Sequence, residues 1–236
     1  MTFYFIGLLV SLASGLWFII KPPENKKWIF LFLASGGAFL MTIIFTHILP
    51  ELFEVIPEQA GYALLAGFLI QILLENYSKG IEHGHAHSKQ STQALYISFF
   101  ALCLHALIEG MPMASILFKS TTAFHHQLTI GIMLHKIPVA ITLAMLLSKS
   151  GIAKNKSILL LFIFILCTLA GSLLQYTIGE STGHAASSWM FISLGLTVGI
   201  LLHVSTTILF ESSDHHKLSP TRVFVIAIGI GLALIS

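Results

Sequence analysis

The stretch from Leu102 to Pro112 carries two groups capable of metal chemistry inside an apolar run. His105 and Glu109 lie four residues apart, so on a helix they share one face, one turn apart. In hydrocarbon, a histidine and a carboxylate are costly unless they pair or bind something. One imidazole nitrogen and two carboxylate oxygens suit a borderline divalent cation such as zinc. The spacing therefore predicts a metal site on a buried helix.

A second apolar run supplies a further ligand. His135 precedes Pro138 by three residues, and Pro112 similarly follows Glu109. A proline inside a membrane helix frees a backbone carbonyl and kinks the helix. A lone membrane histidine is more often a packing residue, but three ligands on two kinked helices favour a metal. We predict that His105, Glu109 and His135 converge between these helices.

Lys136 follows His135 directly and would be a buried ammonium in need of an anion. Glu109 is the nearest candidate in the predicted topology. One interpretation is a structural Lys–Glu pair with no metal. The other is a fixed positive charge that modulates the metal site.

The composition indicates the setting of these residues. The chain has 236 residues, 56% hydrophobic and 9% charged, whereas soluble domains carry about 25% charged residues. A membrane helix needs about 20 apolar residues, and this rule predicts a single all-α domain over residues 1–236, embedded in the lipid bilayer, with no nucleic-acid partner. The eight predicted transmembrane helices cover about 3–20, 29–49, 58–77, 93–118, 122–148, 156–178, 187–211 and 220–236.

The basic residues predict the orientation. Ten of the twelve lysine and arginine residues fall in alternate loops, and the positive-inside rule then places both termini outside the cytoplasm. If the source is bacterial, this membrane is the cell inner membrane. Residues 78–92 form a cytoplasmic loop in which His83, His85 and His87 can chelate metal weakly.

Three further residues extend the predicted path of a cation. His47 and Glu51 end the second span near the external face and would lie at an entrance, together with Glu54 and Glu58. An acidic mouth concentrates cations, although a merely solvated loop fits the charges equally well. His203 lies midway along the seventh span, where it lines the path or simply bonds a neighbour.

The second and seventh spans also resemble each other, since both begin with small residues, carry a histidine and end in a glutamate. They are five spans apart, so the second copy is inverted in the membrane. Inverted repeats around a central site are a transporter architecture.

At these residues the chain resembles the ZIP family of divalent metal transporters. The fourth-span pattern His-x-x-x-Glu-Gly and the fifth-span pattern His-x-x-Pro are both present, and the second span is similar to the family's second helix. The matching residues are His105, Glu109, Gly110, His135, Pro138, Gly36, Gly37, His47, Leu49, Pro50 and Glu51. The resemblance implies eight helices in an inverted 3+2+3 repeat, a path lined by spans two, four, five and seven, and rocking of one bundle against the other.

The chain departs from many family members at Ala106, Lys136 and Val139. The resemblance therefore implies one metal position in place of a two-metal centre. The predicted function is transport of a divalent cation, with Zn²⁺ as the expected ion, toward the cytoplasm, with the ion as substrate and no prosthetic group. The sequence does not choose between Zn²⁺, Fe²⁺, Mn²⁺ and Cd²⁺, nor does it decide whether the chain forms a homodimer.

Two other functions compete with transport. An intramembrane zinc-dependent hydrolase needs metal-bound water and a general base, but the chain lacks HExxH, and Glu109 would have to act as both ligand and base. The second alternative is a metal-sensing membrane protein that does not transport. We expect a transporter and not an enzyme.

Overall fold

The described part of the chain is almost entirely helical. The computed structural model describes residues 2–21, 27–78, 81, 91–114, 123–182, 186–211 and 219–236, and these contain no strand. A π-helical turn (Ile44–Ile48) joins the helix Lys27–Ile43 to the helix Leu49–Val55, and a 3₁₀ turn (Met111–Met113) follows the helix Thr92–Gly110. The helices are α1 (Thr2–Ile20), α2 (Lys27–Ile43), α3 (Leu49–Val55), α4 (Pro57–Ser78), α5 (Thr92–Gly110), α6 (Ala123–Lys149), α7 (Lys154–Thr182), α8 (Ala186–Glu211) and α9 (Pro220–Ile235).

Length and composition make this a multi-pass membrane fold. In the described part of the chain, seven helices, counting α2 and α3 as one, are long and apolar enough to cross a membrane, and α9 is a shorter apolar helix. Large apolar side chains such as Leu9, Tyr62, Phe100 and Phe224 are exposed, as expected for a surface solvated by lipid tails. The predicted all-α integral membrane class is confirmed. The predicted ends at 115–118 and 122 lie outside the described residues.

Local sequence explains where several helices begin and bend. Ser91 caps α5, because its side chain accepts a hydrogen bond from the Ala94 N–H at 3.2 Å. Pro50 lies within the first turn of α3, where its missing N–H costs little. The preceding π-turn, closed by the Leu49 N–H on the Ile44 carbonyl, lets the backbone run past the proline, so the second span continues as helix to Val55.

The helices divide into two bundles. Bundle one contains α1, α5, α6 and α7, with α1 packed on α6 and α5 packed on α7. Bundle two contains α2, α3, α4, α8 and α9, with α4 packed on α8 and α2 packed on α9. The two bundles meet chiefly where α2 crosses α6 and where α4 crosses α5.

These pairings have an internal correspondence. An inverted repeat would relate the first three spans to the last three, and the fourth span to the fifth. It would therefore relate the packed pair α1–α6 to the packed pair α7–α5. The pair α4–α8 likewise becomes α9–α2, and all four pairs are in extensive contact. The packing is consistent with the inverted repeat, which itself stays a prediction.

Glycines set the spacing inside each bundle. A Cβ on Gly67 of α4 would collide with the Leu196 carbonyl of α8, and a Cβ on Gly110 of α5 would collide with the Thr168 carbonyl of α7. Backbones can approach this closely only where a side chain is missing, as is common between membrane helices. The close approach of α5 to α7 also makes the free thiols of Cys103 and Cys167 neighbours.

Candidate metal centre

The first two predicted ligands lie near the end of α5. His105 and Glu109 are each 1% exposed and lie one turn apart on the helix. The helix ends at Gly110, whose carbonyl accepts a hydrogen bond from the Ser172 hydroxyl of α7 at 2.8 Å. Tyr4 of α1 meets that hydroxyl at 2.9 Å. These hydrogen bonds satisfy the Gly110 carbonyl at the end of α5 and hold Glu109 in place relative to α7 and α1.

The third ligand lies in the middle of α6. His135 and its neighbour Lys136 are both 1% exposed, and Pro138 lies within the same continuous helix. Because proline has no N–H, the Leu134 carbonyl loses its helical partner beside the histidine. The Thr142 hydroxyl donates a hydrogen bond to the Pro138 carbonyl at 2.9 Å, one turn further along the helix.

The structure brings the three predicted ligands together. One ligand atom each from His105, Glu109 and His135 lies within 4.8 Å of the others, and the two imidazole rings have centroids 6.2 Å apart. Tetrahedral zinc with bonds of about 2.0–2.2 Å holds its ligand atoms about 3.3–3.6 Å apart, so movements of up to about 1 Å would bring the set onto one ion. In the described part of the chain, no other set of three such side chains comes this close.

Lys136 occupies the side of this centre that faces Glu109. Its Nζ lies 2.6 Å from Glu109 Oε2, which confirms the ion pair predicted from the sequence. The same Nζ lies 4.9 Å from the ring centroid of Phe164 on α7. Among the described residues, the other oxygen of Glu109, Oε1, accepts no hydrogen bond. One carboxylate oxygen is therefore held by the ammonium while the second remains available.

The sequence reading missed Gln71, which joins the centre from bundle two. This α4 side chain is fully buried, and its Oε1 accepts a hydrogen bond from His105 Nδ1 at 2.8 Å. The sequence does contain a feature that could have identified Gln71. It is an amide in the middle of an apolar helix, and polar side chains at membrane depth usually have a function. The rotation of α4 toward α5 could not be read from the sequence.

His203 lies apart from the three ligands. Its Nδ1 is 3.2 Å from Glu75 Oε2, with the two side chains 14% and 21% exposed. The ring of Phe68 contacts it edge-on, with centroids 4.9 Å apart. Glu75 is one turn beyond Gln71 on α4, so this pair lies one turn from the centre, toward the end of α4 from which residues 79–91 continue.

The remaining predicted residues do not reach the centre. His47 is exposed in the π-turn, where its Nδ1 lies 2.7 Å from the Thr46 hydroxyl, and Glu51 is half-buried. Glu54 and Glu58 are exposed near Glu51, as an acidic mouth or a solvated segment would both require. The predicted loop ligands His83, His85 and His87 lie outside the described residues.

The donor set is suited to reversible binding of one ion. Two imidazoles and one carboxylate bind a borderline divalent ion without the thiolates typical of closed structural sites. The neighbouring positions Ala106 and Val139 are buried and apolar. A second adjacent ion would therefore lack carboxylate oxygens.

Comparison with known proteins finds that the chain is similar to zinc transporters. The family model described as "ZIP Zinc transporter" matches residues 79–236, which include all three ligands and Lys136. "Zinc transporter ZIP9" of Xenopus tropicalis is 26% identical over 62% of this chain and 50% of its own length. "Zinc transporter ZIP9" of Micropogonias undulatus is 25% identical over 62% of this chain and 49% of its own.

A third relative extends along almost the whole sequence. "Zinc transporter zipt-7.1" of Caenorhabditis briggsae is 20% identical over 97% of this chain and 76% of its own length. The chain spans about half the length of the ZIP9 relatives that it matches.

Proposed function

The chain belongs to the ZIP zinc transporter family, and from this premise we propose that it carries Zn²⁺ across the membrane toward the cytoplasm. The proposal rests on one observation above all, the convergence of the buried side chains of His105, Glu109 and His135, with one ligand atom from each within 4.8 Å of the others. Zinc is the substrate here, and these side chains form its one transport site.

Exchange at Glu109 gives the site its reversibility. Without an ion, Lys136 neutralises the carboxylate and lowers the cost of keeping a charge in the membrane. An arriving ion competes with the ammonium for Glu109 and repels it once bound. The repulsion weakens binding and favours release, which a transporter needs as much as capture.

The two bundles supply the means of alternating access. All three ligands lie on bundle one, and bundle two packs across them through α4 and α2. Rocking of one bundle against the other, with a fixed site on one of them, opens the site to each side in turn. The inward direction rests on the distribution of lysine and arginine, which places the external face at His47 and Glu51.

The residues outside the centre would serve the two ends of the path. The acidic group at Glu51, Glu54 and Glu58 would raise the cation concentration at the external mouth. His203, with Glu75, would line the cytoplasmic half, and residues 82–88 would tune release without being required for translocation.

Uptake of ⁶⁵Zn²⁺ into sealed proteoliposomes tests this function. His105→Ala, Glu109→Ala and His135→Ala should each reduce uptake nearly to the protein-free background, because each removes one of three ligands. His126→Ala is the matched control, since it removes an exposed histidine from α6, the helix that carries His135. Size-exclusion profiles in detergent establish that each variant is folded. Parallel runs with Fe²⁺, Mn²⁺ and Cd²⁺ would measure selectivity.

Wild-type uptake in all three variants would refute the assigned site. No metal uptake by the wild-type protein would refute transport itself, and turnover of a lipid or peptide by such a protein would support a hydrolase instead.

A further inference from the structure

The hydrogen bond between His105 and Gln71 crosses the boundary between the two bundles. His105 lies on α5 of bundle one, together with the Glu109–Lys136 pair, whereas Gln71 lies on α4 of bundle two. Both side chains are buried, at 1% and 0% exposure, and the Nδ1–Oε1 distance is 2.8 Å. This hydrogen bond therefore joins a predicted ligand to the other bundle.

The chemistry of the bond determines how His105 can act. An amide oxygen has only lone pairs to offer, so the proton of the neutral imidazole must be on Nδ1. The lone pair is then on Nε2, the nitrogen that can bind an ion. Partners of this kind orient a metal-binding histidine and raise its basicity as a ligand.

Within the described part of the chain, no other hydrogen bond holds Gln71 in a wider network. Its Nε2 is buried and has no hydrogen-bond partner among the described residues. Buried polar groups are usually satisfied, so an amide that is only half-satisfied at a metal centre indicates a role beyond packing. The oxygen end of this side chain is held by His105.

We propose that Gln71 is a positioning residue that makes the zinc affinity of His105 depend on how the two bundles are arranged. In the arrangement described here, Gln71 fixes the ligand tautomer and supports binding. A relative displacement of more than about 0.5–1 Å takes the two atoms beyond hydrogen-bond distance, and His105 loses that support. The Glu109–Lys136 pair moves as a unit within bundle one, so it does not sense the displacement. This inference rests on the proposed function, because it assigns the coupling between bundle movement and ion release to one contact.

Three substitutions of Gln71 separate positioning from packing. Gln71→Met keeps most of the volume and removes the acceptor, Gln71→Asn withdraws the acceptor by one methylene, and Gln71→Glu retains an acceptor at full length. Thr197→Val is the matched control. It removes another hydrogen bond between the bundles, from the Thr197 hydroxyl to the Ile108 carbonyl at 2.9 Å, without touching His105.

Zinc binding to purified protein and uptake in proteoliposomes are measured for each variant. We expect Gln71→Met and Gln71→Asn to weaken zinc binding about 10-fold or more, the effect typical of losing a partner of a metal ligand, and to raise the KM of uptake in parallel. Gln71→Glu should restore tight binding but lower the maximal rate, since a charged acceptor holds His105 as a ligand more firmly. Thr197→Val should leave zinc affinity within about twofold of wild type.

The ¹⁵N chemical shifts of His105 in zinc-free protein test the positioning role without relying on transport. The wild-type ring should carry its proton on Nδ1, and Gln71→Met should show a mixture of tautomers. An unchanged tautomer in Gln71→Met, or a Gln71→Met affinity equal to that of Thr197→Val, would overturn the inference. If the tautomer shifts as expected but no variant, including wild type, takes up zinc, the proposed function fails while the positioning role of Gln71 stands.

Discussion

Gly67 and Gly131 face different kinds of neighbour. Gly67, inside bundle two, lies against the backbone carbonyl of Leu196, whereas Gly131, at the boundary between the bundles, lies against the side chain of Leu40. Gly36, also at this boundary, leaves its nearest neighbours, backbone atoms of Leu134 and His135, at ordinary van der Waals distance of 3.7–3.8 Å. Among the described glycines, those whose Cβ would collide with a backbone carbonyl all make that contact within one bundle: Gly67, Gly110, Gly171, Gly199 and Gly229.

This difference is compatible with the proposed rocking, in which each bundle stays rigid and the contacts between bundles change. Backbone contacts at glycine leave no room for sliding, because any shift produces a collision between main-chain atoms. Side-chain contacts can be exchanged by a change of rotamer. Hydrogen bonds between the described parts of the two bundles include Ser98 to the Tyr77 carbonyl at 2.8 Å, Thr197 to the Ile108 carbonyl, and His105 to Gln71.

A disulfide between the bundles should have the largest effect. A Cβ at Gly131 would lie 3.1 Å from Leu40 Cγ, the position that the sulfur of a cysteine at residue 40 would take. In a disulfide, the Cβ of one cysteine lies about 3 Å from the sulfur of the other. In a Cys103→Ala, Cys167→Ala background, oxidised Leu40→Cys/Gly131→Cys protein should lose zinc uptake, and reduction should restore it.

A bridge inside bundle two is the control for that experiment. A Cβ at Gly37 would lie 3.6 Å from the Ile208 Cβ, so Gly37→Cys/Ile208→Cys should also cross-link. Uptake should survive this cross-link, because α2 and α8 belong to the same bundle. Equal uptake in both oxidised proteins would show that the bundles need not move.

The next largest effect concerns stability. Gly67→Ala drives a methyl group into the Leu196 carbonyl and should destabilise the fold by about 1–3 kcal/mol or more, measured by unfolding in mixed micelles. Gly61→Ala, on the same helix with open space around it, should be neutral or stabilise by up to about 1 kcal/mol. The pair Gly229→Ala and Gly231→Ala repeats the test on α9, where the first meets the Ser35 carbonyl and the second meets nothing. Similar stabilities within either pair would contradict close backbone packing.

A smaller effect is expected inside the centre. Lys136→Ala removes the competitor for Glu109, so zinc should bind about 3- to 10-fold more tightly, where tenfold corresponds to about 1.4 kcal/mol. Uptake at neutral pH should be slower, because release is impeded. Lys149→Ala, which replaces an exposed lysine at the end of α6, should change neither quantity.

Anomalous diffraction at the zinc edge should place one ion per chain, and two well-occupied ions would contradict the role given to Lys136.

The smallest effect is expected in the connection between the bundles. Residues 79–91 join α4 of bundle two to α5 of bundle one. Deleting residues 82–88 should reduce uptake by no more than about threefold, since the histidines there would tune release without forming the transport site. A length-matched Gly–Ser replacement separates loss of the histidines from shortening of the connection. Complete loss of uptake by a folded Gly–Ser variant would place those histidines on the essential path.

The sequence predicted the groups that share one helix face more readily than those that meet across helices. His105 and Glu109 follow from spacing alone, and the Glu109–Lys136 pair follows because two charges in hydrocarbon need each other. Gln71 and Glu75 could not be assigned to their histidine partners, because hydropathy fixes the length of a helix and leaves its rotation open. The second span read as ending near Pro50, but the π-turn carries the helix on to Val55.

The ring of Phe164 beside Lys136 affects how the empty transporter would return in the proposed cycle. When Glu109 turns to a bound ion, the ammonium keeps the aromatic face 4.9 Å away, a contact worth about 2 kcal/mol or more where water is excluded. In the proposed cycle, once the ion leaves, the carboxylate and the ammonium pair again, so the empty centre is electrically neutral. This pairing would spare the empty carrier an uncompensated charge in hydrocarbon and so lower the barrier to its return.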